Sequence, residues 1–317
     1  MKKLTTNLIK KPAMIFALVA TVLFSSCKKD QEEMIQDKTI VEIVNSNSNF
    51  SLLKAALSEA GLIDVLAANG PFTVFAPTNE ALIAAGLDTD AKIKAVPVET
   101  LKKILLYHVL GQRVPSSAIA TANNTSVKTA ADLDVFITKN STGVFVNGAS
   151  VSQADIMASN GVIHVINSIL MPPAGNIVEV AQANPNFSFL VAAVLRASQG
   201  STNVAQVLSG AGPLTVFAPT NQAFINAGFA DIAAIQAAEP AALTSILTYH
   251  VIASRVFSSD LTEGAKPATV NGATVNITLT GGAKVKGNKN ATASVILPAN
   301  IVTTNGVIHV IDQVLLP

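Results

Sequence analysis

The chain contains very few of the side chains that carry redox, metal or stacking chemistry. Among its 317 residues there is no tryptophan, one cysteine, two tyrosines and four histidines. A single cysteine excludes an intramolecular disulfide and any zinc site made of several thiolates, because each of these needs at least two cysteines. Stability must therefore come from a buried core, and a chain of this length with 50% hydrophobic residues can form one.

Charged residues are also scarce, and they are balanced. They make up 13% of the chain, with 21 lysines and arginines against 20 acidic residues, and the basic ones are dispersed. A nucleic-acid surface needs a concentrated basic patch, so no nucleic-acid partner is predicted. The Walker A, GxGxxG, GxSxG and HExxH patterns are absent as well. We therefore predict no cofactor.

The first residues have the charge order of an export signal. Four lysines precede an apolar run over 13–24, which is shorter than the roughly 20 residues that a membrane span requires. The run ends at Cys27 in the sequence LFSSCKKD, which resembles the lipobox of bacterial lipoproteins. This resemblance implies cleavage before Cys27 and acylation of its thiol, whereas an ordinary secretory signal with a leftover thiol is the alternative.

These observations predict a signal peptide over residues 1–26 and an acylated cysteine with a charged, flexible tether over 27–36. Cleavage would remove four lysines and no acidic residue, so no basic membrane-binding surface would remain. Charged residues after the cysteine direct some Gram-negative lipoproteins to the cell surface. We expect a lipid anchor in the outer membrane with surface display, and the periplasmic face is the alternative.

The rest of the chain consists of two similar copies of one unit. Three pairs of segments recur in the same order: GPFTVFAPTNEAL (70–82) with GPLTVFAPTNQAF (212–224), LYHVLGQRV (106–114) with TYHVIASRV (248–256), and ADIMASNGVIHVINSILMP (154–172) with ANIVTTNGVIHVIDQVLLP (299–317). Units of this size are domains rather than solenoid repeats. The sequence therefore predicts two tandem domains, 37–172 and 173–317, joined at the short proline-containing segment PPAGN.

Each unit is helical at the front and β-rich at the back. The apolar spacing predicts helices over 50–66, with Gly61 near the end, and over 99–110. Between them, FTVF predicts a short strand that Pro77 ends, and Thr78 or Asn79 can cap the next helix. The back half alternates short apolar runs with Asn-Gly and Gly-Gly turns, which is typical of antiparallel strands. The fold class is therefore α+β.

The repeated segments resemble the two signature blocks of the fasciclin (FAS1) domain, TVFAPTNEA and NGVIHVI, with the Tyr-His motif between them. The resemblance implies two tandem FAS1 domains, each with a β-sandwich or wedge of about seven strands and a helical bundle packed at one side. It also implies that the chain is a non-enzymatic adhesion or matrix-binding protein, since FAS1 domains are typically extracellular modules of this kind.

The Tyr-His pairs are the candidate adhesion motif, because the family links this motif to cell adhesion. They comprise Tyr107 with His108 and Tyr249 with His250. Tyrosine is favoured at interfaces, but the surrounding ILLYHVL is apolar and favours burial. We prefer the interpretation in which the motif supports an adhesive surface rather than forming it.

The other shared polar residues are interpreted as a structural signature of caps, turns and buried hydrogen bonds. They are Thr78, Asn79 and His164 in the first unit, and Thr220, Asn221 and His309 in the second. A metal site is not predicted, because each unit has two histidines and the best third ligand, Asp155, is Asn300 in the second copy. Catalysis is disfavoured too, since the SxxK pattern at Ser51 loses its lysine in the second copy.

The sequence thus predicts a lipid-anchored envelope protein that binds extracellular matrix, a cell-surface protein or a polysaccharide, as a monomer or weak oligomer. Two weak sites on a short joint would gain avidity. The alternative is a structural or accessory protein that binds another envelope protein or a glycan-uptake complex.

Overall fold

The computed structural model describes residues 38–317, and residues 1–37, which include Cys27, lie outside the described residues. The two units predicted by the repeats fold in the same way. We refer to 37–172 as domain 1 and to 173–317 as domain 2. The segment between them, residues 167–176, contains neither helix nor strand.

Domain 1 has six α-helices and seven strands within the described residues. The helices are α1 (Ile40–Ser46), α2 (Ser51–Glu59), α3 (Ile63–Ala67), α4 (Asn79–Ala84), α5 (Asp90–Lys94) and α6 (Val98–Tyr107). The strands are β1 (Phe72–Pro77), β2 (Val109–Leu110), β3 (Thr125–Lys128), β4 (Asp134–Asn140), β5 (Gly143–Val146), β6 (Ala149–Ala158) and β7 (Gly161–Ile166). They form one sheet in the order β2-β1-β7-β6-β5-β4-β3.

Domain 2 repeats this order of elements. The helices are α7 (Ile177–Ala183), α8 (Ser188–Ala197), α9 (Val204–Ser209), α10 (Asn221–Asn226), α11 (Ile232–Ala237) and α12 (Pro240–Tyr249). The strands are β8 (Leu214–Pro219), β9 (Val251–Ile252), β10 (Asn276–Thr278), β11 (Lys284–Lys286), β12 (Ser294–Val295), β13 (Ile301–Thr303) and β14 (Gly306–Ile311). They form a four-stranded sheet, β13-β14-β8-β9, and a three-stranded sheet, β10-β11-β12. The prediction of α+β domains with about seven strands is confirmed.

The central strands pair in parallel, which the sequence did not indicate. In domain 1, β1 runs beside β7 from Phe72 opposite Gly161 to Pro77 opposite Ile166, and β8 pairs with β14 in the same register. A parallel pair needs a crossover between its strands, and here the crossover contains the helices and hairpins of the whole domain. The centre of the sheet is therefore complete only when the last strand of the domain, β7, pairs with the first, β1.

Both predicted helices were too long. The first splits at Gly61, which has a φ of +66°, so that α2 ends at Glu59 and α3 begins at Ile63. The second ends at Tyr107, because the next residues turn into β2, where Leu110 pairs with Thr73 of β1. Backbone hydrogen bonding to the sheet overrode a continuous helical pattern of apolar residues.

Each domain has two hydrophobic cores. One lies between the helices and the central strands and contains Phe50 and Leu66 in domain 1. The other lies among the strands of the back half and contains Phe75 and Tyr107. The corresponding cores of domain 2 contain only residues of domain 2. Each domain thus buries its own apolar surface and is expected to fold alone.

Gly161 allows the close approach of β1 and β7. A Cβ atom there would collide with the backbone carbonyl of Phe72 and with the Ile40 side chain. We predict that Gly161→Ala lowers the free energy of unfolding by about 1–3 kcal/mol, as overpacking does in a well-packed core. Urea unfolding measures the loss.

Gly111→Ala is the matched control, because nothing lies within 4 Å of a Cβ at that position. It should leave stability nearly unchanged. Equal stabilities of the two variants would contradict the close-approach explanation.

Candidate functional site

The corner after the first central strand joins three elements. The Thr78 hydroxyl accepts a hydrogen bond from the Ala81 amide and caps α4, as predicted. Asn79 caps a different helix, because its Oδ1 accepts from the Leu52 amide at the start of α2 and its Nδ2 donates to the Ser48 carbonyl. Two adjacent residues therefore fix the strand, its own helix and a helix distant in sequence.

The same bonds recur in domain 2. Thr220 accepts from the Ala223 amide, and Asn221 accepts from the Phe189 amide. Asn221 also donates to the Pro185 carbonyl at 3.0 Å. The repeated phrase APTN is thus explained by hydrogen bonding within the fold.

Asn160 and Asn305 fasten the helices to the sheet. The Asn160 amide donates to the carbonyls of Leu66 and Ala68, and its oxygen accepts from the Ile40 amide. Asn305 makes the equivalent three bonds in domain 2. Both side chains are buried with their hydrogen bonds satisfied, so neither offers a free group for chemistry.

The Tyr-His motifs lie inside the domains. Tyr107, His108, Tyr249 and His250 are all at most 2% exposed. The Tyr107 hydroxyl donates to the Asp134 carbonyl at 2.8 Å and accepts from Asn147 Nδ2 at 3.0 Å. Burial raises the pKa of Tyr107 to about 12. This geometry favours the support interpretation, and a role of the motif in adhesion stays a prediction.

His108 links the helical core to the end of the domain. Its Nδ1–H donates to the Ile104 carbonyl at 2.7 Å, and its Nε2 accepts from the Leu170 amide at 2.9 Å. An imidazole that donates through one nitrogen and accepts through the other is neutral. Burial lowers the pKa of His108 to about 4, and that of His250, which makes the equivalent bonds, to about 4 as well.

His164 and His309 lie on the central strands β7 and β14. The Nε2 of His164 is 2.8 Å from the Val114 carbonyl, and its ring stacks on Phe75 with centroids 5.8 Å apart. His309 has the same partners in domain 2, Val256 and Phe217, and burial lowers its pKa to about 4. Both rings are at most 1% exposed.

The exchange of Asp155 for Asn300 has a structural explanation. Both residues have a positive φ, 60° and 65°, and both accept from the amide of a serine, Ser116 in domain 1 and Ser258 in domain 2. The serine hydroxyl also donates to Asp155, whereas Asn300 donates to the serine hydroxyl. Both residues supply an acceptor oxygen, but only Asp155 has a charge. The position therefore needs a hydrogen-bond acceptor that stabilises the turn, and it does not need a carboxylate.

No metal-binding cluster is found in the part of the chain that the structure describes. Within 38–317, no three of the His, Cys, Asp and Glu side chains gather closely enough to hold a metal ion. In the same range, no helix is both long enough and apolar enough to span a bilayer.

The two domains meet through a polar contact that centres on Asp260. Its carboxylate accepts from Asn124 Nδ2 at 3.1 Å and from the Thr138 hydroxyl at 3.0 Å, both of domain 1. Within its own domain it accepts from the Phe257 amide at 2.8 Å. We call this the Asp260 contact.

Aromatic and cationic groups extend the Asp260 contact. The Arg255 guanidinium lies 3.9 Å from the ring centre of Phe136, and the rings of Phe136 and Phe257 are 6.1 Å apart. The sequence signal for this contact was present but unrecognised. Where domain 1 has Pro115 and Ala118, domain 2 has Phe257 and Asp260, so the interface uses positions at which the copies differ.

A cleft of about 600 Å³ also lies between the domains. Domain 1 contributes 147–149 and 167–172, and domain 2 contributes 299–302 at the edge strand β13. Met171 is 54% exposed there, beside the amides of Asn167 and Asn300. Concave surfaces at domain interfaces are frequent binding sites, so this interdomain cleft is the candidate functional site.

The fold and the repeats define a protein of two tandem α+β domains, in which the repeated polar residues form hydrogen bonds that stabilise the fold. The fasciclin domain family model matches residues 48–172 and 185–317. The chain therefore belongs to the fasciclin domain family, with two FAS1 domains.

Several proteins are similar to this chain. "Protein sll1483" of Synechocystis is 41% identical over 136 residues, which is 43% of this chain and 74% of that protein. Human periostin is 31% identical over 261 residues, which is 78% of this chain and 28% of periostin. Porcine transforming growth factor-beta-induced protein ig-h3 is 29% identical over 250 residues, 78% of this chain and 35% of that protein. This chain thus spans about a third of the two animal proteins.

Among solved structures, a FAS1 domain pair from the insect cell adhesion molecule fasciclin I is similar to this chain. The identity is 18% and the TM-score 0.40, with 84% of this chain and 96% of that chain covered.

The buried neutral histidines predict that acid destabilises the protein. His108, His250 and His309 have a pKa of about 4 when folded, against an ordinary value of 6.5. The unfolded chain binds protons more readily, so stability present at neutral pH is lost as the pH falls from 6.5 towards 4. The limit is about 3 kcal/mol per histidine.

Urea unfolding at about pH 7 and about pH 5 measures this loss, and the NMR signals of the His108, His250 and His309 imidazoles should show no protonation of the folded state above about pH 5. An unfolding free energy that is the same at both pH values would contradict the prediction.

The Asp260 contact predicts coupling between the domains. Asp260→Ala should lower the free energy of unfolding by about 1–3 kcal/mol more in the tandem protein than in isolated domain 2, because only the tandem protein contains Asn124 and Thr138. Thermal and urea unfolding of both forms give the difference. Asp231→Ala is the control, since Asp231 caps α11 within domain 2. Asp231→Ala should lower the free energy of unfolding equally in both forms. If Asp260→Ala also lowered it equally in both, the prediction of coupling between the domains would be wrong.

Proposed function

We propose that the protein is a lipid-anchored, non-catalytic binding protein of the cell envelope that attaches through its two FAS1 domains. The observation that carries this proposal is the occurrence of two complete FAS1 domains in one chain. Proteins with FAS1 domains are generally adhesion or binding proteins. Binding without catalysis also agrees with the full use of the signature polar side chains in hydrogen bonds of the fold.

The interdomain cleft is the proposed contact surface. It offers the amide group of Asn167 beside the exposed Met171, a combination suited to a polypeptide with alternating polar and apolar side chains. Strand β13 is an edge strand on this cleft, and an edge strand can pair with an extended segment of a partner. The lining residues of the cleft include no aromatic ring for stacking on a sugar. A protein of the matrix or of a partner cell is thus favoured over a polysaccharide.

The anchor is proposed from the sequence alone. Cys27 follows the signal-like segment and is the only cysteine, so a single acylation site would hold the protein on the outer membrane. Display at the surface would place many copies side by side, and weak single contacts would then add up through avidity. Cys27→Ser should abolish labelling by palmitate and release the protein from the membrane fraction. Retention of the variant in that fraction would contradict a lipid anchor.

Binding is tested with the segment 37–317, which contains all four hydrophobic cores. We expect saturable binding to one class of matrix or cell-surface protein on an array that also carries polysaccharides. Isolated domain 1 and isolated domain 2 should bind more weakly, because the cleft needs both. Flat responses from a folded protein would overturn the adhesion proposal.

The cleft is tested with a matched pair of surface substitutions. Met171→Asp puts a charge into the cleft, whereas Val98→Asp puts the same charge at a residue of similar exposure, 46%, that does not line the cleft. Met171→Asp should weaken binding by about tenfold or more, the effect of losing a buried apolar contact, and Val98→Asp should not. Equal binding by both variants would place the contact surface elsewhere.

Protease added to intact cells distinguishes adhesion from the alternative of an accessory envelope protein. Digestion of the protein supports surface display. Protection against the protease would favour a partner within the envelope, to be identified by crosslinking.

A further inference from the structure

Domain 2 contains an apolar cavity of about 70 Å³ that the proposed adhesion function does not use. It lies between helices α7, α8 and α9 and the central strands. Its inner wall consists of aliphatic side chains, among them Ile177, Leu190, Leu208, Val216 and Ile308.

The cavity results from small residues that domain 2 has in place of larger ones. The hydrogen bonds of Asn79 and Asn160 and those of Asn221 and Asn305 fix which residues of the two domains correspond. Three lining residues are smaller than their counterparts, namely Ala181 for Val44, Val194 for Leu57, and Ala205 for Ile63. In domain 1 the larger residues belong to the helical core or pack against it.

The cavity wall offers no hydrogen bond to a ligand. His250 is the only ionisable lining residue, and both of its ring nitrogens are engaged, Nδ1 with the Ile246 carbonyl and Nε2 with the Leu315 amide. The other polar lining side chain, Gln182, is exposed at the rim. An occupant of the interior therefore has to be an apolar group without polar atoms.

The size of the cavity limits that group. A cavity of 150 Å³ in another protein holds benzene, and one water occupies about 30 Å³ of liquid, so about 70 Å³ fits the end of an alkyl chain but not an aromatic ring.

A second depression lies on the outer side of α8 and shares lining residues with the cavity. This groove has a volume of about 500 Å³, and Val191 and Leu195 line both the cavity and the groove. The equivalent positions of domain 1 are Lys54 and Ser58, so domain 2 has two apolar side chains where domain 1 has a cation and a hydroxyl. Leu195 is 55% exposed, so its side chain is accessible from the groove.

The groove carries one positive charge. Arg196 lines it together with Ser188, Gln199 and Gln236, and no acidic residue is among the lining residues. The Arg196 guanidinium donates through Nε to the Ala238 carbonyl and through Nη1 to Gln199, so it is held in place at the groove. Domain 1 has Glu59 at this position. A guanidinium that is the one charged group lining a groove is suited to a carboxylate.

We propose that domain 2 binds a short aliphatic monocarboxylate. The end of the alkyl chain occupies the cavity, the middle of the chain passes between Val191 and Leu195, and the carboxylate lies at Arg196. Domain 1 lacks the site because Val44, Leu57 and Ile63 fill the interior and Lys54 and Glu59 change the entrance.

The probe is sodium hexanoate, added to the segment 37–317 in an NMR titration. We expect saturable shifts of the Val194, Ala205 and Val191 signals, with a Kd on the order of 1 mM for a ligand of this size. Hexanol should bind about tenfold more weakly, since it lacks the charge-assisted hydrogen bond. Hexylammonium should not bind, because Arg196 repels it.

Two variants test the two ends of the site. Val194→Leu with Ala205→Ile restores the residues of domain 1, fills the cavity and should abolish binding of hexanoate and hexanol alike. This variant should also raise the midpoint of thermal unfolding, so a loss of binding cannot be attributed to misfolding. Arg196→Gln should weaken hexanoate to the affinity of hexanol and leave hexanol unchanged.

No saturable binding of hexanoate by the folded protein would overturn the proposal. Binding that persists in the filled variant would show that the ligand is held outside the cavity. Equal affinities for hexanoate and hexanol would refute the assignment of the carboxylate to Arg196.

Discussion

The amide of Asn160, with its counterpart Asn305, is the interaction on which each domain depends. It joins the start of the first helix and the end of the third to the tight turn before β7. That turn brings β7 beside β1, and the parallel pair is the centre of the sheet. Without the amide, the buried Ile40 amide and Leu66 carbonyl would lose this partner, and each unsatisfied buried group costs about 1–3 kcal/mol. The helical bundle and the sheet are therefore coupled through one side chain in each domain.

Much of the fold could be predicted because the duplication repeats its own signals. Strand ends at Pro77 and Pro219, helix caps at Thr78 and Thr220, and the α+β order follow from local chemistry that acts within a few residues. The length of the helices could not be predicted in this way. Val109 and Leu110 fit the helical pattern, yet their backbone pairs with β1, a strand more than thirty residues earlier. Helix propensity depends on neighbouring residues, so it does not reveal that a distant strand competes for the same backbone hydrogen bonds.

The candidate site was less accessible to sequence reasoning, for a related reason. Repeated residues attract attention, and here Tyr107, His108 and their counterparts are buried groups with satisfied bonds. The surfaces that distinguish this chain are formed where the copies differ. Asp260 stands for Ala118 at the contact between the domains, and Ala205 stands for Ile63 at the cavity. A difference between two copies has no obvious meaning until the structure shows what each residue contacts.

The Asp260 contact also determines how the pair responds to tension. The contact consists of a few polar and aromatic side chains, whereas each domain is held by its own cores and by six-residue parallel ladders. A pulling force applied across the two domains would therefore separate them before it unfolds either of them. Such a separation would lengthen the protein and leave both domains folded.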